Sequence, residues 1–85
     1  MIYEYTNAAL DRARYEKIRD KKNPYYGSVP GLRGVWATGK TLEECRKRLL
    51  DVVDGWIVVR LKRGLHIPRL GKYRIQPLKE LKFGT

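Results

Sequence analysis

Residues 41–64 have the sequence TLEECRKRLLDVVDGWIVVRLKRG, and this stretch predicts the long helix on which the fold is built. Thr41 and Glu44 form a capping box, because the threonine hydroxyl can accept a hydrogen bond from the Glu44 amide at the start of a helix. At the other end, Gly64 can adopt the left-handed conformation that commonly ends a helix. The stretch therefore predicts a helix over residues 41–63.

Two apolar strips run along this predicted helix. The first faces the core and contains Leu42, Cys45, Leu49, Val52, Val53, Trp56 and Val59. The second contains Leu50, Ile57 and Leu61 and lies about 100° further round the helix. We expect an N-terminal helix to cover part of this second strip and a second copy of the chain to cover the rest. These three residues are therefore the candidate face of a homodimer or larger homo-oligomer. Gly55, in the middle of the helix, predicts a close approach by another backbone.

Shorter segments on either side of the helix predict a small sheet. Residues 25–29 and 34–38 are aromatic and β-branched runs between proline and glycine breaks, and they predict a hairpin. Residues 14–19 predict an outer strand, and the alternation over residues 72–76 predicts a fourth strand after the helix. Residues 4–13 contain alanine, leucine and arginine, which favour a short N-terminal helix.

The composition limits the classes of protein to which the chain can belong. Its 85 residues allow one domain, and 42% apolar residues allow a packed core. We predict a single α+β domain over residues 1–85, with the N-terminal helix, a core over 14–76 and a tail over 77–85. One cysteine excludes an internal disulfide, and one cysteine with one histidine cannot complete a four-ligand zinc site.

The charge of the chain favours an anionic partner. There are 19 lysine and arginine residues against 9 aspartate and glutamate residues, which gives a net charge of +10. A field of this sign attracts RNA, DNA, acidic lipid or an acidic protein face, whereas the alternative is a soluble basic surface without such a role. No apolar run is long enough to cross a membrane, and the N-terminus lacks the order of a signal peptide, so we expect a cytoplasmic protein.

No arrangement of residues predicts catalysis, and we expect a protein that is not an enzyme and uses no cofactor or metal. Residues 34–41, GVWATGKT, fit the letters of a phosphate-binding loop, but the residues between its glycines favour a strand. Cys45 lies on the predicted core strip, which favours a packed thiol over a nucleophile. His66 has no identifiable nucleophile and acid with which to form a triad.

Basic residues lie next to tyrosines at two places in the chain. Arg14 and Tyr15 are on the predicted first strand, and residues 72–74, with the sequence KYR, are on the predicted fourth strand. Adjacent strands of this kind would form a stacking and charged surface for single-stranded nucleic acid. The candidate contacts are Arg14, Lys17, Arg19, Lys72 and Arg74. The same pattern is also typical of an ordinary half-exposed strand.

The segment between the hairpin and the helix resembles a known family. Residues 30–34 are PGLRG, and residues 35–44 continue as VWATGKTLEE. This resembles the HicB-like antitoxin family, in which a strand ending in P-x-L-P-G is followed by a second strand, G-x-T and a helix that opens with two acids. The resemblance extends over roughly residues 14–76.

The resemblance implies both a fold and a function. The implied fold is a partial ribonuclease-H-like fold in the order β-β-β-α-β, with three antiparallel strands, a crossover helix and a fourth strand beside the first. The implied function is that of a non-enzymatic antitoxin of a type II toxin-antitoxin system, which covers a small HicA-type toxin ribonuclease. The alternative function is a small basic module that binds RNA or single-stranded DNA without a toxin partner.

Three features depart from the family pattern. Arg33 stands where the family has its second proline. The residues after Gln76 are too few for the usual C-terminal DNA-binding domain, so we do not expect repression of the operon without a partner that supplies that domain. HicA-type toxins bind RNA and tend to be basic, so a net charge of +10 opposes the contact. The sequence does not identify the partner or the size of the assembly.

Overall fold

The structure is a computed structural model that describes residues 2–75, and these residues form two helices and three strands. In chain order the elements are α1 (Ile2–Asp11), β1 (Arg14–Lys17), β2 (Tyr25–Ser28), β3 (Trp36–Gly39) and α2 (Leu42–Arg63). The strands form one antiparallel sheet in the order β1-β2-β3. The prediction of an α+β fold with three antiparallel strands, a long helix and a short N-terminal helix is confirmed, and the order observed is α-β-β-β-α.

Helix α2 begins and ends where its capping residues predict. The Thr41 hydroxyl accepts a hydrogen bond from the Glu44 amide at 3.0 Å. Gly64 has φ 64°, and its amide donates to the Leu61 carbonyl at 3.2 Å. On the helix surface Arg48 pairs with Glu44 at 2.6 Å, a spacing of four residues that supports the helix. Local sequence is therefore sufficient to define this element.

The sheet packs on the N-terminal half of α2 through residues that lack bulky side chains. Ala37 of β3 is buried, and Gly27 and Gly39 lie on the same side of the sheet. A Cβ atom at Gly39 would lie 2.5 Å from the Cys45 nitrogen. One at Gly27 would lie 2.8 Å from the Tyr15 ring. Both positions require glycine, because neighbouring groups fill the space that a side chain would occupy.

Helix α1 covers the C-terminal half of α2. Tyr5 of α1 and Ile57 of α2 are both fully buried in the core. Thr6 donates a hydrogen bond to the Asp54 carboxylate at 2.9 Å, and the Tyr5 hydroxyl donates to the Pro68 carbonyl. Ile57, one of the three residues of the second apolar strip, is thus buried in the same core as the residues of α1.

The predicted fourth strand is not formed over residues 72–75, the described part of its range. Leu70 and Tyr73 exchange backbone hydrogen bonds of 3.0 and 2.9 Å across a tight turn, in which Gly71 has φ 59°. The chain therefore reverses direction where a strand would have to begin. The alternation that predicted a strand reflects this turn and the burial of Ile75 after it.

The boundaries of four further elements differ slightly from prediction. Helix α1 occupies Ile2–Asp11 instead of residues 4–13, and β1 ends at Lys17 instead of Arg19. Strand β2 ends at Ser28 instead of Val29, and β3 occupies Trp36–Gly39 instead of residues 34–38. Gln76 and the predicted tail, residues 77–85, lie outside the described residues.

The buried side of α2 also differs from the predicted core strip. Leu42 and Val59 were expected in the core but are 49% and 47% exposed, whereas Ile57 is fully buried. The reason is that the sheet and α1 contact different halves of α2, so the buried side turns along the helix. Gly55 has no atom outside its own helix within 4 Å of a Cβ position, so the predicted close approach of another backbone is wrong for the described residues.

Candidate interaction surfaces

The side of the sheet opposite α2 is open, and we call it the sheet face. Two rows of paired residues point to it: Arg14, Ser28 and Trp36 in one row, and Glu16, Tyr26 and Thr38 in the other. Trp36 is 53% exposed, and the other five residues are exposed or half-buried. The described part of the chain therefore leaves this face accessible to solvent.

An aromatic pair lies at the centre of the sheet face. The rings of Tyr26 and Trp36 are stacked, with centroids 6.0 Å apart and an angle of 20° between their planes. They are diagonal neighbours on adjacent strands, a position from which large side chains can reach each other. A stacked and half-exposed indole is the kind of group that binding surfaces use as an anchor.

The sheet and its connections are strongly basic. Residues 14–40 contain seven lysine or arginine residues and two acidic residues, a net charge of +5. One of those acids, Asp20, already accepts hydrogen bonds of 2.8 and 3.0 Å from two backbone amides in the turn between β1 and β2. Helix α1, by contrast, contains two acidic residues and no basic residue, a net charge of −2. The sheet with its connections is thus a basic segment of the chain, and α1 is an acidic one.

A second surface, which we call the helix groove, lies between α1 and α2. It is lined by Tyr3, Thr6, Asn7, Leu50, Asp54 and Val58. Three of these are exposed apolar side chains: Tyr3 is 76%, Val58 is 45% and Leu50 is 37% exposed. Among residues 2–75, the lining contains one carboxylate and no basic residue. The groove is therefore an apolar and locally acidic surface on a basic protein.

A third surface, the Gly55 flank, lies on another side of α2. It is lined by Asp51, Val52, Gly55, Trp56, Val59, Arg60 and Leu65. The Arg60 guanidinium lies 4.6 Å from the centre of the Trp56 ring, and Trp56 Nε1 donates to the Arg33 carbonyl at 3.2 Å. The ring face and the Nε1 atom of Trp56 therefore each have a partner within the fold.

Of the residues considered for catalysis, Cys45 and the loop-like sequence are part of the packed fold, whereas His66 is exposed. Cys45 is fully buried, and its thiol donates to the Ala37 carbonyl at 3.5 Å. Burial raises the pKa of the Cys45 thiol, and the Arg48 guanidinium lowers it only in part. His66 is exposed in the segment after α2. Residues 36–39 of the loop-like sequence are strand β3.

Metal binding was not predicted, and residues 2–75 contain no group of three His, Cys, Asp or Glu side chains placed to hold a metal ion. That the protein is not an enzyme and uses no cofactor stays a prediction.

The structure separates the residues that were predicted to contact nucleic acid. Arg14 lies on the sheet face, whereas Lys17 points to the other side of the sheet, with its amine 5.4 Å from the centre of the Tyr25 ring. Arg19 follows β1. Lys72 and Arg74 lie in and after the turn at Gly71, not on a strand beside β1, so the predicted platform on adjacent strands does not form within residues 2–75.

Sequence reasoning missed the aromatic pair of the sheet face. The sequence does contain a signal for this face, because residues two apart in a strand point to the same side. Tyr26 therefore shares a side with Ser28, and Trp36 shares a side with Thr38. The spacing does not say which side is open, because that depends on where α2 packs.

The predicted oligomer face is mostly covered by the chain itself. Ile57 is fully buried, and Leu61 packs partly buried against the core. Leu50 is the most accessible of the three and lies in the helix groove. The homo-oligomer stays a prediction, which the molar mass in solution tests.

Comparison with known proteins gives a family and a related fold. The model of the UPF0150-like family matches residues 4–68. Among solved structures, the crystal structure of TTHA0281 from Thermus thermophilus is similar, with a TM-score of 0.83 and 47% sequence identity. The match covers 88% of this chain and 91% of that chain. No curated protein matches the sequence. Neither helix within residues 2–75 has the length and apolar character needed to span a bilayer.

Proposed function

Because this chain belongs to the UPF0150-like family, we propose that it is a HicB-like, antitoxin-type binding protein that neutralises a small toxin ribonuclease by covering part of its surface. The sequence pattern over residues 30–44 supports the same proposal. Such a protein acts by shape and charge and needs no catalytic group of its own.

The helix groove is the observation that carries this proposal. A HicA-type toxin is expected to be basic, and two basic surfaces repel. Within the part of the chain that the structure describes, no basic residue lines the groove, and α1 beside it has a net charge of −2 within a chain of +10. Its exposed Tyr3, Leu50 and Val58 supply the apolar centre that a protein interface needs. We therefore assign the toxin contact to this groove.

Co-expression of the tagged chain with the product of the neighbouring short open reading frame tests the proposal. We expect the two proteins to co-purify and the chain to restore growth that the toxin inhibits. Val58→Lys puts a cation in place of an apolar contact in the groove. We expect this change to weaken the complex at least about tenfold, which is about 1.4 kcal/mol.

Val59→Lys is the matched control. Val58 and Val59 are adjacent and 45% and 47% exposed, but Val59 lies on the Gly55 flank. Both changes put lysine in a helix, where it is more favourable than valine, so both variants should fold. The absence of a complex with any neighbouring product, or an equal loss with both variants, would contradict the proposal.

A further inference from the structure

We propose that the sheet face binds single-stranded RNA, with a base stacked on Trp36 and phosphates held by the basic residues around the sheet. The proposal does not depend on the antitoxin function, because it uses a different surface. The helix groove lies on the side of α1 and α2, whereas the sheet face lies on the opposite side of the sheet from α2.

The aromatic pair is the first observation that carries the proposal. Trp36 is 53% exposed, and Tyr26 stacks against it at 6.0 Å. This contact holds the indole in place before any ligand arrives, so little order has to be gained on binding. A held aromatic ring on an open sheet is the platform on which proteins stack unpaired bases.

The charge around the sheet is the second observation. Residues 14–40 have a net charge of +5, and Arg14 lies on the sheet face in the same row as Trp36. The turn between β1 and β2 adds Arg19, Lys21 and Lys22, all exposed, at the other end of the strands. A strand of RNA crossing the aromatic pair would thus meet cations at both ends of the sheet, as a polyanion requires.

The polar residues of the sheet face favour RNA over DNA. Ser28 pairs across the strands with Trp36, and Thr38 pairs with Tyr26. Their hydroxyls, and the carboxylate of Glu16 beside Tyr26, can accept a hydrogen bond from a ribose 2′-hydroxyl, which DNA lacks. Glu16 is the one acidic residue in the two rows, and Arg14 lies on the same face two residues away.

The test uses the full chain and a fluorescently labelled single-stranded oligouridine of about twelve nucleotides, a length within the usual range of site sizes. Anisotropy at low salt measures the affinity. We expect Trp36→Ala to weaken binding roughly five- to a hundredfold, the usual effect of losing one stacked base. Trp36→Phe keeps an aromatic ring and should restore most of the affinity. Added salt should weaken binding steeply.

Two matched controls separate the site from general effects. Tyr3→Ala removes an aromatic side chain that is 76% exposed on α1, and we expect it to leave the affinity unchanged. Arg14→Gln removes one positive charge from the sheet face. Lys62→Gln is its control, because it removes one positive charge from the last turn of α2. Only Arg14→Gln should weaken binding clearly. Thermal unfolding of each variant shows that it is folded.

Undetectable binding at low salt, or equal affinities of the wild type and Trp36→Ala, would overturn the proposal. Equal affinity for an oligodeoxyuridine of the same length would overturn the choice of RNA. A fall in molar mass caused by Trp36→Ala, with no RNA bound by the wild type, would assign the face to a second copy of the chain. The antitoxin proposal is judged separately, because Val58→Lys should weaken the toxin complex and leave RNA binding unchanged.

Discussion

Gly39 and Gly55 are both glycines, but Gly39 is closely packed and Gly55 is open. A Cβ atom at Gly39 would lie 2.5 Å from the Cys45 nitrogen, whereas one at Gly55 would meet no described atom outside its own helix within 4 Å. We expect Gly39→Ala to lower the free energy of unfolding by roughly 1–3 kcal/mol, because the sheet would have to move away from α2. We expect Gly55→Ala to raise it by about 0.5–1 kcal/mol, because alanine is the better helix residue.

Chemical denaturation of the wild type and both variants measures these two changes. The same methyl group is added in each case, so the comparison isolates the surroundings. A stabilising Gly39→Ala would contradict the close packing of β3 on α2. A destabilising Gly55→Ala would mean that another backbone occupies the Gly55 flank in solution.

At the scale of elements, α1 is tied to the segment after α2 by a buried tyrosine. The Tyr5 hydroxyl donates to the Pro68 carbonyl. Burial raises the pKa of Tyr5 above its ordinary value, and Arg12 and Arg60 lower it only in part. Because the pKa is raised in the folded state, the neutral hydroxyl contributes stability that is fully present below about pH 10 and is lost as the pH rises through the folded pKa.

Tyr5→Phe tests this link between α1 and the rest of the fold. At neutral pH we expect it to lower the free energy of unfolding by about 1 kcal/mol, because the hydrogen bond is lost. At a pH above about 10 the difference from the wild type should shrink, since only the wild type has to keep this hydroxyl protonated. Denaturation at both pH values measures this difference in the free energy of unfolding. Tyr3→Phe is the control, because it changes an exposed position of the same helix. A difference that stays constant with pH would contradict the argument.

The elements differ in how well the sequence predicted them. Helix α2 was predicted within one residue, because Thr41, Glu44 and Gly64 mark its ends through contacts of short range. The prediction of a fourth strand was wrong over residues 72–75, because alternation alone does not distinguish a strand from a turn flanked by buried residues. Here the chain reverses direction at Gly71, and the alternation of apolar and polar residues does not predict this reversal.

At the scale of the whole molecule, the charge is unevenly distributed. Residues 14–40 have a net charge of +5 and α1 has −2, within a total of +10. The sheet and its connections are therefore basic, whereas helix α1, which lines one side of the helix groove, carries only acidic charges. The two proposals follow from this difference, since one surface suits a polyanion and the other suits a basic protein.

Salt should stabilise the folded protein. A net charge of +10 repels itself in the compact state, and salt shortens the range of that repulsion. We expect the midpoint of thermal unfolding to rise between about 20 mM and about 500 mM sodium chloride, where the screening length falls several-fold. A gain on the order of 1 kcal/mol corresponds to about 4–8 °C for a domain of this size.

Salt also weakens the exposed ion pair between Glu43 and Lys47, whose charged atoms are 3.7 Å apart. This effect lowers stability, but an exposed ion pair contributes little. Lys21→Gln and Lys22→Gln together lower the net charge and should reduce the effect of salt. A midpoint that falls as salt is added would contradict this account.

Helix α2, the hairpin and the family pattern could be predicted from the amino-acid sequence alone, because they depend on residues that are near one another in the chain. Which surfaces are free became visible only in the folded molecule. Ile57 is buried in a core that also contains residues of α1, and the exposure of Trp36 depends on which side of the sheet packs against Cys45. Those contacts join separate elements of the chain, and their geometry comes from packing, which local patterns do not encode.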